Sequence, residues 1–228
     1  MKNIFGYFFH KKFKINDLKR FDNMIFYDIM WKKNNAILGG IMGKFKRTDT
    51  DIEGLCIIEP TVFGDNRGYF METYSKEDFK EIGIDYEFVQ DNQSSSKKGV
   101  LRGLHFQIEN TQGKLVRVIK GEVFDVAVDL RRDSKTFGKW FGVRLSEENK
   151  KMFFIPPYFA HGFLVLSDTA EFTYKCTDVY NHSAESGLLY SDKEIGIEWP
   201  EVNCELTTSE KDTKWQTLEQ FKNSDIWK

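Results

Sequence analysis

From about Leu55 onward, apolar positions come in short alternating runs broken by Gly, Pro, Asn and Asp, the pattern of a domain built from strands and turns. The clearest run is 122–130. A period of two puts Phe124, Val126, Val128 and Leu130 on one face and Asp125 and Asp129 on the other, giving a packing face and a face that sees polar surroundings. The same rule over 170–180 places Phe172, Tyr174, Cys176, Asp178 and Tyr180 on one side, a mixture suited to a cavity wall. Two stretches change to helical signals. Residues 75–82 open on Ser75 with Asp78 three positions on, and 209–221 open on Ser209 with Asp212 in the same relation. The pattern predicts an all-β sandwich or barrel with short flanking helices, without internal repeats or low-complexity linkers.

Residues 1–41 do not share this pattern; they are rich in Lys, Asn, Phe and Ile. One reading is that they are not translated, because Gly39-Gly40-Ile41-Met42 is what a purine-rich ribosome-binding site and a start codon would spell in frame, making 42–228 the domain. The other is a genuine amphipathic N-terminal helix.

Composition narrows the function classes. A chain of 228 residues, 40% hydrophobic, has apolar material for one substantial core. Its 33 Lys and Arg against 35 Asp and Glu give a net charge of -2, so no global field favours nucleic acid or an anionic membrane, and an anionic ligand would need a local basic cluster. The 3 cysteines, Cys56, Cys176 and Cys204, are widely spaced without a CxxC pair, which argues against a disulfide framework or a zinc site and fits a reducing cytoplasm. No apolar run is long enough to span a bilayer, and Lys and Asp interrupt any signal-peptide pattern at the start.

Polar groups concentrate in Gln90-Asp91-Asn92-Gln93-Ser94-Ser95-Ser96 and in the following strand, where Arg102 and His105 stand among apolar residues. Buried polar groups cost free energy unless paired, so this strand sits at an exposed edge or lines a wet cavity. Strict alternation puts Arg102 and His105 on opposite faces; they share a site only if Gly103 marks a bulge. Taken alone, His105 reads first as a satisfied or exposed strand histidine, Lys114 as a solvated lysine and Asp212 as a helix cap. His161 follows the Pro156-Pro157 turn. Phe106 and Gln107 follow His105 where a metal-binding cupin would place a second histidine, so a bound metal is not expected.

The ordered set Phe63-Gly64-Asp65-Asn66-Arg67-Gly68-Tyr69-Phe70-Met71-Glu72, Gln90-Asp91-Asn92, Arg102-Gly103-Leu104-His105, Gln112-Gly113-Lys114, Pro156-Pro157, Ala160-His161-Gly162-Phe163, Tyr174-Lys175-Cys176-Thr177 and Ile195-Gly196-Ile197-Glu198-Trp199-Pro200 resembles the dTDP-4-dehydrorhamnose 3,5-epimerase family from Leu55 to the C-terminus. The resemblance implies a jelly-roll cupin fold, a homodimer, no cofactor, and cytoplasmic conversion of a dTDP-4-keto-6-deoxy sugar on the way to L-rhamnose. It makes His105 the general base, Tyr174 the opposing acid, Asp212 the residue that orients His105, and Lys114 the group beside the ketone oxygen. Arg67, Glu72, Gln90, Asn92, Arg102, His161, Tyr180, Glu185 and Lys211 become substrate-binding residues, with the segment around Arg67 and Glu72 reaching across the dimer interface.

Overall fold

The computed structural model describes residues 43–227, so both readings of residues 1–41 lie outside the described residues. In chain order the strands are β1 (Phe45–Asp49), β2 (Cys56–Pro60), β3 (Val62–Asp65), β4 (Gly68–Met71), β5 (Gln90–Lys97), β6 (Leu101–Gln107), β7 (Lys114–Lys120), β8 (Glu122–Asp129), β9 (Trp140–Ser146), β10 (Met152–Ile155), β11 (Phe159–Val165), β12 (Thr169–Cys176) and β13 (Glu185–Gly187). Among the described residues two short α-helices join them, α1 (Lys76–Glu81) and α2 (Leu218–Asn223).

A six-stranded sheet ordered β1-β2-β10-β7-β12-β5 packs against a five-stranded sheet ordered β13-β6-β11-β8-β9, and β3 pairs with β4 in a hairpin of its own. Every pairing within them is antiparallel, as the expected jelly roll requires. Val116, Val118, Phe153, Phe172, Ala127, Phe163 and Val165 fill the space between the sheets. Each sheet is also covered on its outer face. Phe79 of α1 packs with Cys56, Ile58, Leu115 and Met152 over the larger sheet, and Leu218 and Phe221 of α2 pack with Leu104, Phe106, Val126 and Val128 over the smaller.

This double covering modifies the reading of β8. Val126 and Val128 do pack, but on the outer layer, whereas Val123 and Ala127 enter the space between the sheets. Asp125 and Asp129 are 0% exposed, so the polar face is enclosed rather than wet. Each carboxylate is satisfied there: Asp129 accepts from Arg131, Ser134 and Thr136, and Asp125 meets His161.

The first helix forms as predicted, with the Ser75 hydroxyl accepting the Asp78 N–H at 3.4 Å. The second is shorter than predicted. The Asp212 N–H does reach the Ser209 hydroxyl at 3.3 Å, but only a tight turn, Lys211–Thr213, follows. Gln216 then bridges to Leu188, and helix α2 starts after Thr217, which forms a capping box with Gln220. The start signal at Ser209 is real, but tertiary pairing of the next residues stops it from propagating. Strand β12 likewise ends at Cys176, so Asp178 and Tyr180 lie beyond the wall that alternation assigned them to.

Candidate active site

Arg102 and His105 line the same cavity because β6 carries one residue more than its neighbour. His105 pairs with His161 and Arg102 with Phe163, so three steps on β6 match two on β11. The shift breaks strict alternation and brings both side chains to one cavity, with Arg102 exposed and His105 partly buried. Gly103 sits at this step with φ of +132°, where a Cβ would lie 2.6 Å from the Gly162 Cα. Only glycine fits that approach.

His105 Nε2 lies 2.6 Å from Asp212 Oδ1, and the carboxylate is 2% exposed. The Gly103 N–H donates to Oδ2 at 3.3 Å and the Trp215 indole N–H to Oδ1 at 3.1 Å. Burial alone would raise the Asp212 pKa; hydrogen bonds and charge from His105, with the donors Gly103 and Trp215, outweigh it and hold the carboxyl below its usual value. With Nε2 engaged by Asp212, Nδ1 is the His105 nitrogen left to exchange a proton. Asp212 thus does more than cap a turn. A cavity of about 350 Å³ opens here, lined by Arg102, His105, Thr207, Ser209, Lys211 and Asp212.

Across the sandwich, the inner face of the larger sheet presents Gln90 and Asn92 of β5, Lys114 of β7 and Tyr174 and Cys176 of β12, with Tyr174 opposite Asn92 and Cys176 opposite both Gln90 and Lys114. Lys114 is 8% exposed, not solvated; burial pushes its ammonium pKa down, and the nearby Cys176, Asp125 and Glu185 oppose that shift. Burial raises the Tyr174 pKa, so its phenol keeps its proton at neutral pH. His161 is buried in β11 with Nε2 3.0 Å from both oxygens of Asp125, and its ring stacks on Phe172 at 6.1 Å. Burial disfavours charge on both members of that pair, pushing the carboxyl up and the imidazole down.

The remaining expected binding residues fall into two groups. Beside His105, Lys211 donates to Glu185 at 2.6 Å and Tyr180 to the same carboxylate at 3.2 Å. Burial works to raise the Glu185 pKa, but Lys211, His105 and Tyr180 prevail and lower it. Arg102 places two donors on the Ser96 hydroxyl, each at 3.1 Å, and Gln90 donates to Asn92 at 3.0 Å. Arg67 and Glu72 belong to a different neighbourhood. Arg67 forks onto Asp65 within the β3–β4 hairpin and Glu72 pairs with Lys44 at 3.0 Å, while Phe63, Tyr69 and Phe70 of the hairpin are exposed.

Sequence reasoning missed Asp125 and Trp215 as parts of the site. A charged residue within the apolar run of β8 was the available signal for Asp125; nothing local marked Trp215. A larger hollow of about 410 Å³ lies on the outer face of the six-stranded sheet beside Arg117 and Lys175. Its lining includes Asn92 and Tyr174 but not His105, Lys211 or Asp212, which line the other cavity. Among the described residues no helix is long and apolar enough to cross a membrane.

Comparison with known proteins adds to this geometry. The family model described as dTDP-4-dehydrorhamnose 3,5-epimerase matches residues 49–220. The chain is 56% identical over 180 residues to the dTDP-4-dehydrorhamnose 3,5-epimerase of Methanothermobacter thermautotrophicus, covering 78% of this chain and 97% of that relative. It is 58% identical over 169 residues to the enzyme of the same name from Shigella flexneri, covering 73% and 92%. Among solved structures it is similar to the dTDP-6-deoxy-D-glucose-3,5-epimerase of Legionella pneumophila in complex with dTDP-4-keto-L-rhamnose, with a TM-score of 0.75 and 51% identity over 77% of this chain and 93% of that one.

Proposed function

The chain belongs to the dTDP-4-dehydrorhamnose 3,5-epimerase family, and from that premise we propose that it inverts carbons 3 and 5 of dTDP-4-dehydro-6-deoxy-D-glucose to give dTDP-4-dehydro-L-rhamnose. The observation that carries the residue assignment is the His105–Asp212 contact of 2.6 Å at the cavity, facing a sheet that bears Tyr174 and Lys114.

The ketone at carbon 4 acidifies the hydrogens on carbons 3 and 5, because the electron pair left behind delocalises onto the ketone oxygen. His105, oriented through Nε2 by Asp212, takes each proton at Nδ1; such general-base help is worth about 10²–10⁴ in rate. The enolate oxygen needs a positive donor already in place, a contribution of about 2.7–4 kcal/mol for one donor, and the enclosed Lys114 fits that role. Tyr174 delivers a proton from the sheet opposite His105, which inverts the carbon. Arg102 and Lys211 supply positive charge for the diphosphate, while Gln90, Asn92, His161, Tyr180 and Glu185 hold the sugar and base. The scheme draws only on the chain's own acids and bases, and turnover should survive EDTA.

Arg67 and Glu72 complete the binding set from a second copy. Among the described residues the hairpin's strands pair with each other and with no other strand, and it exposes Phe63 at 42%, Tyr69 at 59% and Phe70 at 64%, which supports a homodimer in which each hairpin reaches the other chain's cavity. A fully active monomer at micromolar concentration would refute it. The reaction belongs to cytoplasmic nucleotide-sugar synthesis.

Incubation with dTDP-4-dehydro-6-deoxyglucose in heavy water tests the function itself. Deuterium should enter at carbons 3 and 5, and both centres should invert. Uptake at one carbon alone would make the protein a single-site epimerase, and movement of the carbonyl would make it a ketoisomerase.

A further inference from the structure

Asp212 Oδ1 accepts two hydrogen bonds, from His105 Nε2 at 2.6 Å and from the Trp215 indole at 3.1 Å. The indole is seated for this contact. A Cβ on Gly187 would lie 2.7 Å from Trp215 Cδ1, and Gly187 is the β13 residue paired with His105. The Trp215 and His105 rings meet edge to face with centroids 6.2 Å apart. Trp215 therefore touches both the carboxylate that orients the base and the base itself, while standing outside the residues that line the cavity.

We propose that Trp215 is a positioning residue: its indole N–H shares the Asp212 oxygen with His105 and so sets how strongly that carboxylate holds the imidazole proton. The inference rests on the assignment of His105 as the base. Two donors on one oxygen divide its lone-pair density, so removing the indole N–H leaves Asp212 a stronger acceptor for the proton on Nε2. The imidazolium is then better stabilised, and His105 becomes available as a base only at higher pH. The other charged or titratable groups that face His105 are Glu185 from β13, His161 from β11, Tyr174 from β12 and Lys114 from β7 on the opposite sheet, Arg102 from its own strand and Lys211 beside Asp212, and the substitution leaves all of them in place.

Trp215→Phe keeps an aromatic ring over Gly187 and against His105 but removes the donor. The acidic limb of its kcat/KM profile should move to higher pH by about 0.4–1 unit, the size expected when one hydrogen bond to a carboxylate is lost. KM on the alkaline plateau should stay within about twofold of the wild type, since the cavity lining is unchanged. In an Asp212→Asn background the same substitution should leave the profile where it was. A Trp215→Phe profile that superimposes on the wild type, while His105→Ala is inactive, overturns the proposal and spares the base assignment; a His105→Ala protein that still exchanges both protons overturns the base assignment instead. Should Trp215→Phe fail to fold, the wild-type protein labelled with 15N-tryptophan gives the reading without activity. The Trp215 indole proton should shift across the pH range of the acidic limb of kcat/KM, and an indole signal that stays put over that range overturns the proposal.

Discussion

Two histidine–aspartate pairs face the same interior from neighbouring strands, and their surroundings fit them for opposite work. His105 and His161 are cross-strand partners. The His105 side chain is 28% exposed and meets one oxygen of Asp212, whereas that of His161 is 9% exposed and meets both oxygens of Asp125. Asp212 arrives on a tight turn with two further donors, and its pKa falls despite burial. Asp125 comes from the adjacent strand β8, where burial prevails and its pKa rises. Identical residue types thus yield an oriented, accessible imidazole in one place and an enclosed pair with charge suppressed in the other. Access and donor count make the difference.

The largest test of this contrast exchanges the members under attack. His105→Ala should abolish deuterium exchange at carbons 3 and 5 together, a loss of at least about 10²–10⁴, with dTDP affinity little changed. His161→Ala should weaken binding and stability while exchange remains measurable. The reverse result would mean that the buried pair is the catalytic one. Tyr174→Phe should leave exchange running while inversion stalls; inversion at the wild-type rate would remove Tyr174 from the proton path. Asp212→Asn should lower kcat by up to about 10⁴-fold with KM little changed, because the imidazole remains in place but an amide can hold it in the wrong tautomer.

The smallest effect is a pair of opposed slopes in thermal stability. Asp212 has a lowered pKa, so its stabilisation is present above the unfolded carboxylate value of about 3.9 and disappears as pH falls through the folded value. The gap in Tm between wild type and Asp212→Asn should therefore close on acidification. Asp125 has a raised pKa, and its contribution is full below about 3.9 and lost as pH rises through the folded value. The gap to Asp125→Asn should accordingly widen on acidification. Parallel slopes, read by melting curves between about pH 3 and 7, would erase the distinction between the pairs.

How far the sequence reached varies with the range of the interaction involved. The alternation of 122–130, the Ser75 cap and the need for a bulge at Gly103 are local, and each is found in the structure. The Asp212–His105 contact spans 107 positions, so no local period encodes it; the family motifs marked those residues, while residue-by-residue reading saw a cap. The length of the second helix was misjudged for the same reason, since the Leu188–Gln216 bridge that interrupts it lies outside its own segment. Burial of Asp125 and Asp129 was invisible because alternation tells which residues share a face and not what covers that face.

The length of that contact also sets a timetable for synthesis. A ribosome making about 5–20 residues per second completes His105 several seconds before Asp212. Asp212 is held by a segment whose Leu218 and Phe221 dock on the outer face of the smaller sheet, so His105 acquires its carboxylate partner only after helix α2 has been made and seated. A nascent chain that already displays Arg102, Lys114 and Tyr174 would still lack an oriented His105 until that helix had emerged and docked.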